Sequence, residues 1–305
     1  MILRYARLSG HAPVFKAMTG LTVAEFDAWW VGLWPAYQAA EQARLQARAR
    51  QRAVGAGHAF TLAARDQVLL VLVWLRQYPT HEVLGYLFGV SDTTVSRLVA
   101  RLVPLLAETG TAAFRLPDPQ RRSRRGLDDL LAETPALAVL IDSFEQRIQR
   151  PRDRATADTF YSGKKKTHTL KTQLTVDETT GKVVDVSASV PGPTNDLTLL
   201  KQSGVLERLP PGVGAIGDLG YVGITALHPH TATPRRKPRG QPRPPQDAAF
   251  NRAFASRRVS VEHTIGRLRH YQVLSQRDRH HRRHSHACVC AVAALANHQI
   301  DRRLP

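Results

Sequence analysis

The sequence predicts an α/β protein of the α+β kind, with an N-terminal helical region followed by a mixed-sheet domain. Three observations predict it. Apolar residues recur at helical spacing between Thr22 and Val103. Two short apolar runs that each end in a carboxylate, Ala138–Asp142 and Gly214–Asp218, occur only after that helical region. Between them lies the plainest period-two alternation in the chain, Thr169–Val176.

With 305 residues the chain is long enough for two modest cores, and its 43% hydrophobic content is ordinary. Its charge is not ordinary. Forty-three Lys and Arg against 25 Asp and Glu give +18, a balance that points to a polyanionic partner, nucleic acid first. The two cysteines, Cys288 and Cys290, suit neither a disulfide framework nor a zinc site. No apolar run approaches the roughly 18 residues of a membrane span, and Met1–Arg7 lacks a secretory apolar core. The expectation is a soluble, cytoplasmic, nucleoid-associated protein of a bacterial host.

From the N-terminus, Thr22 with Glu25 three residues later forms a capping box and starts a helix through Phe26, Trp30 and Leu33. Pro35 is a candidate kink. Trp29, Trp30 and Trp34 read as packing residues on an apolar stripe rather than as a base-stacking platform. After a break at Gly55–Gly57, Leu62–Gln77 reads as a helix buried on most sides. Thr80 caps a short helix over His81–Phe88, Gly89–Val90 turns the chain, and Ser91 caps a third helix from Asp92. Its inward positions are Val95, Leu98, Val99, Leu102 and Val103. Its outward positions are Thr93, Thr94, Ser96, Arg97 and Arg101.

This is a helix-turn-helix pattern, with small polar side chains near the start of the last helix to reach base edges and arginines to reach guanines or phosphates. A basic, proline-bearing linker follows from Leu116. The domain division is then 1–57 for an N-terminal helical segment, 58–115 for the helix-turn-helix, 116–135 for the linker and 136–305 for the sheet domain.

In that last domain the strand ending at Asp142 comes first, and Gln146–Thr159 reads as polar loop. The Lys164-Lys165-Lys166 run precedes a hairpin made of Thr169–Val176 and Val183–Ser189. Thr194 or Asn195 caps a short helix, where Asp196 reads as a favourable first-turn acid. The strand ending at Asp218 follows. Pro229–Pro245 reads as an exposed loop whose Arg235, Arg236 and Lys237 can lie along a phosphate backbone. A helix over Ala248–Tyr271 carries Glu262 on a face with Arg258 and Arg269. The basic run Arg277–His284 and an apolar helix over Ser285–Ile300 close the chain. The histidines near the C-terminus read as a solvated basic face rather than zinc ligands.

Strand-Asp, hairpin, strand-Asp and helix-Glu, in that order, form the pattern of an RNase H-like core. Metal-assisted phosphodiester cleavage needs such carboxylates to hold hard divalent cations and offset their charge. The chain resembles the DDE transposases of the IS5 and Harbinger type from about Thr19 onward. The resemblance rests on Asp66–Leu70 with Phe88–Arg97, Ile141-Asp142, Phe160–His168, Asp196-Leu197-Thr198, Gly217–Tyr221 and Val261–Leu268.

The resemblance implies a catalytic and metal-binding triad of Asp142, Asp218 and Glu262, with two divalent cations, Mg²⁺ or Mn²⁺. It also implies binding of double-stranded DNA at inverted-repeat ends and at the target, by a homodimer or larger assembly. Candidate DNA contacts are Ser91, Thr93, Thr94, Ser96, Arg97, Arg101, Lys164, Lys165, Lys166, Arg235, Arg236, Lys237, Arg258 and Arg269. Where the family often has Asp-Gly-Thr, this chain has Asp142-Ser143-Phe144, and where it often has His-Asp it has Asn195-Asp196. Two alternatives stay open at this point: an endonuclease that does not join, and an inactive DNA-binding regulator.

Overall fold

The computed structural model describes residues 3–47, 61–120 and 131–302. In chain order the helices of the first half are α1 (Tyr5–Leu8), α2 (Ala12–Thr19), α3 (Val23–Gln46), α4 (Ala64–Gln77), α5 (His81–Phe88) and α6 (Asp92–Thr111). Then come β1 (Ala138–Arg147), α7 (Arg154–Phe160), β2 (Tyr161–Ser162), β3 (Thr167–Asp177), β4 (Val183–Val186) and β5 (Val190–Pro191). The last group is α8 (Asp196–Ser203), β6 (Gly214–Ile216), β7 (Thr231–Ala232), α9 (Pro245–Arg269), α10 (Gln272–Ser275) and α11 (Ser285–Asp301). None of the helices among the described residues is long and apolar enough to cross a membrane.

The first packing unit comprises the described residues of Met1–Ala113, Arg269–Gln276 and Ala287–Pro305. The Thr22 hydroxyl accepts from Glu25 N–H while the Glu25 carboxylate accepts from Thr22 N–H, which completes the expected capping box and stabilises α3 by about 1 kcal/mol. The helix runs on past Pro35 to Gln46. Trp30 is buried as expected, but Trp34 is 38% exposed and stacks on Tyr37.

Every residue of α4 from Asp66 to Leu75 is buried, because α2, α6 and α10 all pack against it. Asp66 is tolerated there because it accepts from Tyr5 N–H at 2.6 Å and lies 3.9 Å from Arg4. Thr80 and Ser91 cap α5 and α6. Gly85 is where α5 meets the turn: a Cβ there would lie 2.6 Å from Val90 O, so only glycine allows the close approach.

The packing does not follow the division drawn from sequence, since α10 and most of α11 join this helical unit. His298 bonds Glu25 O and Gln299 donates to Gly20 O, each linking α11 to the start of the chain. The break at Gly55–Gly57 and the Arg121–Gly126 part of the linker lie outside the described residues.

The second unit comprises the described residues of Phe114–Leu268 and Arg277–His286. Its sheet has β1 between β3 and β6, with β7 beyond β6, and β2, β4 and β5 on the other edge of β3. Pairing is antiparallel between β1 and β3 and parallel from β1 to β6 and from β6 to β7. This is the mixed sheet of an RNase H-like core.

One face is closed by Val139, Ile141, Ala215, Leu200, Val205 and Tyr221, all essentially buried. α9 is tied to the β3–β4 end by Arg257, which pairs with Glu178 at 2.6 Å, and by Thr264, which donates to Gly181 O. Two loop expectations are corrected. Gln146–Thr159 contains the end of β1 and helix α7, whose N-cap is Asp153. Pro229–Pro245 contains β7, buried beside β6 because its backbone extends the sheet.

Candidate active site

β1 carries Asp142 past the last residue that pairs with β6, so the carboxylate stands where the two parallel strands part. β6 ends at Ile216, and Asp218 caps the following 3-10 turn by accepting from Gly220 N–H at 2.9 Å. α8 brings a third acid. The cap of α8 is Asn195, whose Oδ1 accepts from Leu197 and Thr198 N–H. Asp196 follows in the first turn, as expected, with its carboxylate free of the cap.

The Asp196 carboxylate instead accepts from Ser143 Oγ at 2.7 Å and from Lys171 Nζ at 3.0 Å. Gly220 shows how close the second and third acids come. A Cβ there would lie 2.6 Å from Asp196 Oδ2 and 3.0 Å from Asp218 Oδ1, so glycine leaves open the space between them.

Burial raises the Asp142 carboxyl from 3.8 to about 6, with the charges of Asp218 and Asp196 adding to it. Arg258 of α9, 3.5 Å away, and the Ser143 N–H pull the other way. The Tyr221 hydroxyl is fully buried and unpartnered at hydrogen-bonding geometry, although Ser143 lies beside it. Burial and the same three carboxylates keep its proton bound.

Among the described residues, then, Asp142 has Arg258, Asp196 has Lys171, and Asp218 has no cationic partner. A half-buried site with one carboxylate in excess fits a hard cation. Mg²⁺ takes one or two carboxylates and fills its remaining positions with water and phosphate oxygens. No set of three His, Cys, Asp or Glu among the described residues is arranged to enclose a metal. Glu262 is exposed on α9, one turn beyond Arg258 and on the same row, and makes no ion pair or hydrogen bond among the described residues. The structure thus brings Asp142 and Asp218 together with Asp196, while Glu262 stands one turn along α9 from the arginine that reaches Asp142.

Sequence reasoning missed Ser143, Lys171, Tyr221 and the placement of Asp196. Lys171 carried a signal: it is a charged residue inside an apolar strand, 8% exposed. Asn195, already a candidate cap, carried another, since an asparagine cap frees the acid that follows it.

The remaining candidates divide by exposure. Thr93, Ser96 and Arg97 are exposed on α6, while the Ser91 hydroxyl and Thr94 N–H are spent on the cap. Arg101 does not face outward. It bonds Glu41 at 2.5 Å and also Gln67, because the 20-residue helix turns that position toward α3 and α4. Lys164, Lys165 and Lys166 are exposed in the turn before β3, and Lys166 has φ +51°. Arg236, Lys237 and Arg269 are exposed. Arg235 is held by Asp247 at 3.0 Å and lies 4.3 Å over the Phe250 ring, so it braces the loop.

Residues 141–297 match the family described as DDE superfamily endonuclease, and residues 60–112 match the helix-turn-helix of that superfamily. A protein of Microchaete diplosiphon named as a probable transposase for insertion sequence element IS702 is 30% identical over 239 residues, covering 78% of this chain and 82% of its own. One of Streptomyces albus G, named as a transposase for IS112, is 27% identical and covers 73% and 75%. A rat protein named as the nuclease HARBI1 is 24% identical, over 68% of this chain and 58% of its own. No solved structure matches. The chain belongs to the DDE superfamily endonucleases, enzymes of the nuclease and transposase class, with a helix-turn-helix preceding the catalytic domain.

Proposed function

We propose that this enzyme is a transposase that binds the inverted-repeat ends of its own element, cuts them and joins them to target DNA. The observation that carries the reading is the gathering of Asp142 with Asp218 and Asp196, the last two on either side of the open position at Gly220, in a chain of net charge +18. Asp142 and Asp218, with Glu262 from the Arg258 row of α9, would hold two divalent cations, Mg²⁺ or Mn²⁺. Bound there, such cations supply Lewis-acid activation of the scissile phosphodiester and of the attacking oxygen.

Ser143 and Lys171 orient Asp196, and Asn195 fixes the helix that presents it. Arg258 offsets the charge of Asp142 until a cation and a phosphate arrive. Water would attack the terminal phosphodiester, and the freed 3′-hydroxyl would attack the target strand. Thr93, Ser96 and Arg97 would read the ends, and bringing two ends together implies a dimer or larger assembly on DNA in the nucleoid of a bacterial host.

A nuclease that cuts without joining is the second reading, favoured by the relative named as a nuclease. The test is a linear fragment bearing the gene's own flanking DNA, incubated with Mg²⁺, with EDTA, and with Asp142→Ala. Cuts at matched ends that need both metal and Asp142, followed by joined products, are expected. Cuts without joined products leave the nuclease. Binding without cutting under any metal removes both.

A further inference from the structure

At the end of the sheet away from the β1–β6 pairing, three segments distant in sequence meet. Asp278 N–H donates to Arg147 O at 2.7 Å, so the basic 277–284 segment lies along the last residues of β1. Asp278 is 2% exposed and accepts from the Ser285 hydroxyl, His280 N–H and the His280 ring, which pins that segment. Arg282 stacks 4.6 Å over Phe160 and joins it to α7. The β2–β3 hairpin, paired through Tyr161–His168, adds the Lys164–Lys166 turn.

Each segment presents cations to solvent. Arg147, Arg150, Arg152 and Arg154 are exposed on the first, Arg277 and Arg283 on the second, and the three lysines on the third. The nearby exposed acids are Asp153, already spent on capping α7, and Asp158. Tyr161 is the sole large hydrophobic side chain exposed among these described residues, too little apolar surface for a membrane.

We infer that this edge is a second duplex-DNA surface, separate from the helix-turn-helix, which grips the phosphate backbone of the DNA that enters the active site. The inference rests on the DNA-cutting function proposed above. Five residues of extended strand separate Asp142 from Arg147, about 17 Å. That is about five base pairs of duplex at a rise of about 3.4 Å. The surface therefore holds DNA about half a helical turn from the bond being cut. Its flexible cationic side chains meet phosphates, so they position the duplex without reading its sequence.

The test compares the full chain with Arg150→Ala/Arg152→Ala/Arg154→Ala and with Lys164→Ala/Lys165→Ala/Lys166→Ala. These side chains make no hydrogen bond or ion pair among the described residues, so thermal melting should not change. Affinity is measured against salt for duplexes of end sequence and of random sequence, and footprints are taken on the end fragment. Every phosphate that a variant no longer neutralises should lower the salt slope by about 0.9, equally for both duplexes. The footprint should retract by about five base pairs beside the cleaved bond.

An unchanged slope and footprint in both variants overturns the inference. So does an effect confined to an RNA duplex or to an acidic protein competitor. Wild type that never cuts but shows this footprint retraction in the variants would remove the proposed function and leave the surface standing.

Discussion

Replacing Asp142 by asparagine should stabilise the metal-free protein. Burial, reinforced by the charges of Asp218 and Asp196, lifts this carboxyl from 3.8 to about 6 in spite of Arg258 and the Ser143 N–H. A folded-state value above the unfolded one means that the native state binds the proton more tightly. The stabilising contribution is thus full below about pH 4 and is lost as pH rises through about 6. At neutral pH the loss amounts to about 3 kcal/mol.

Asparagine has the shape of the protonated acid, keeps an oxygen for Ser143 N–H and carries no charge. The variant should therefore gain about 3 kcal/mol at neutral pH, or about 6–12 °C in melting temperature for a domain of this size. The gap should close as pH falls toward about 4. Melting of both proteins in EDTA across this range checks it, because other titrating groups cancel in the difference. A variant no more stable than wild type, with a difference independent of pH, would refute the account of Asp142 as a carboxylate held against burial and repulsion. Added Mg²⁺ gives a second readout. It should raise wild-type stability by about 2.7 kcal/mol at a hundredfold excess over Kd and the asparagine variant by much less. A wild type insensitive to Mg²⁺ would remove Asp142 as a cation ligand.

Gly220→Ala puts a methyl between Asp196 and Asp218 and should cut cleavage by about a hundredfold or more with the circular-dichroism spectrum unchanged; near-normal cleavage would mean the gap is not used. Tyr221→Phe removes a buried hydroxyl that has no partner, so melting should hold or rise slightly; a loss of about 1 kcal/mol or more would reveal a hydrogen bond. Arg101→Ala should destabilise the helical unit by about 1–3 kcal/mol through Glu41 and Gln67, whereas Arg97→Ala should leave melting alone and weaken DNA binding. Equal stability effects at the two positions, measured by denaturant unfolding, would contradict their different placements.

Much of the fold was legible because local chemistry marks it. Thr22 with Glu25, Thr80 and Ser91 supply caps that any helix needs, and the bounds of α5 follow from Thr80 and Gly89. The two strand-end aspartates were legible because an apolar run that stops at an acid has few other readings. Arg101 was not legible. Its helical phase borders the inward stripe, and partners on α3 and α4, Glu41 and Gln67, decide that it folds inward. Helix α7 was hidden for a related reason, since seven residues with few apolar positions give no periodicity. The position of Asp196 depended on Lys171 and Ser143, residues 25 and 53 positions away, which no local pattern connects.

The costs in this unit are not spread evenly. A carboxylate raised by burial and like charge, a tyrosine hydroxyl without a partner, an arginine Nε without a partner at Arg258 and a glycine that nothing larger can replace all lie within one neighbourhood. Elsewhere in the sheet, buried charge is matched: Arg257 has Glu178, Thr134 and Pro135 O, and Asp278 has Ser285 and His280. The same scaffold pairs those charges, yet at this end of the sheet it crowds three acids against two cations. The imbalance makes physical sense when a further positive charge and a phosphate belong there, which is what the proposed function asks of the mouth between β1 and β6.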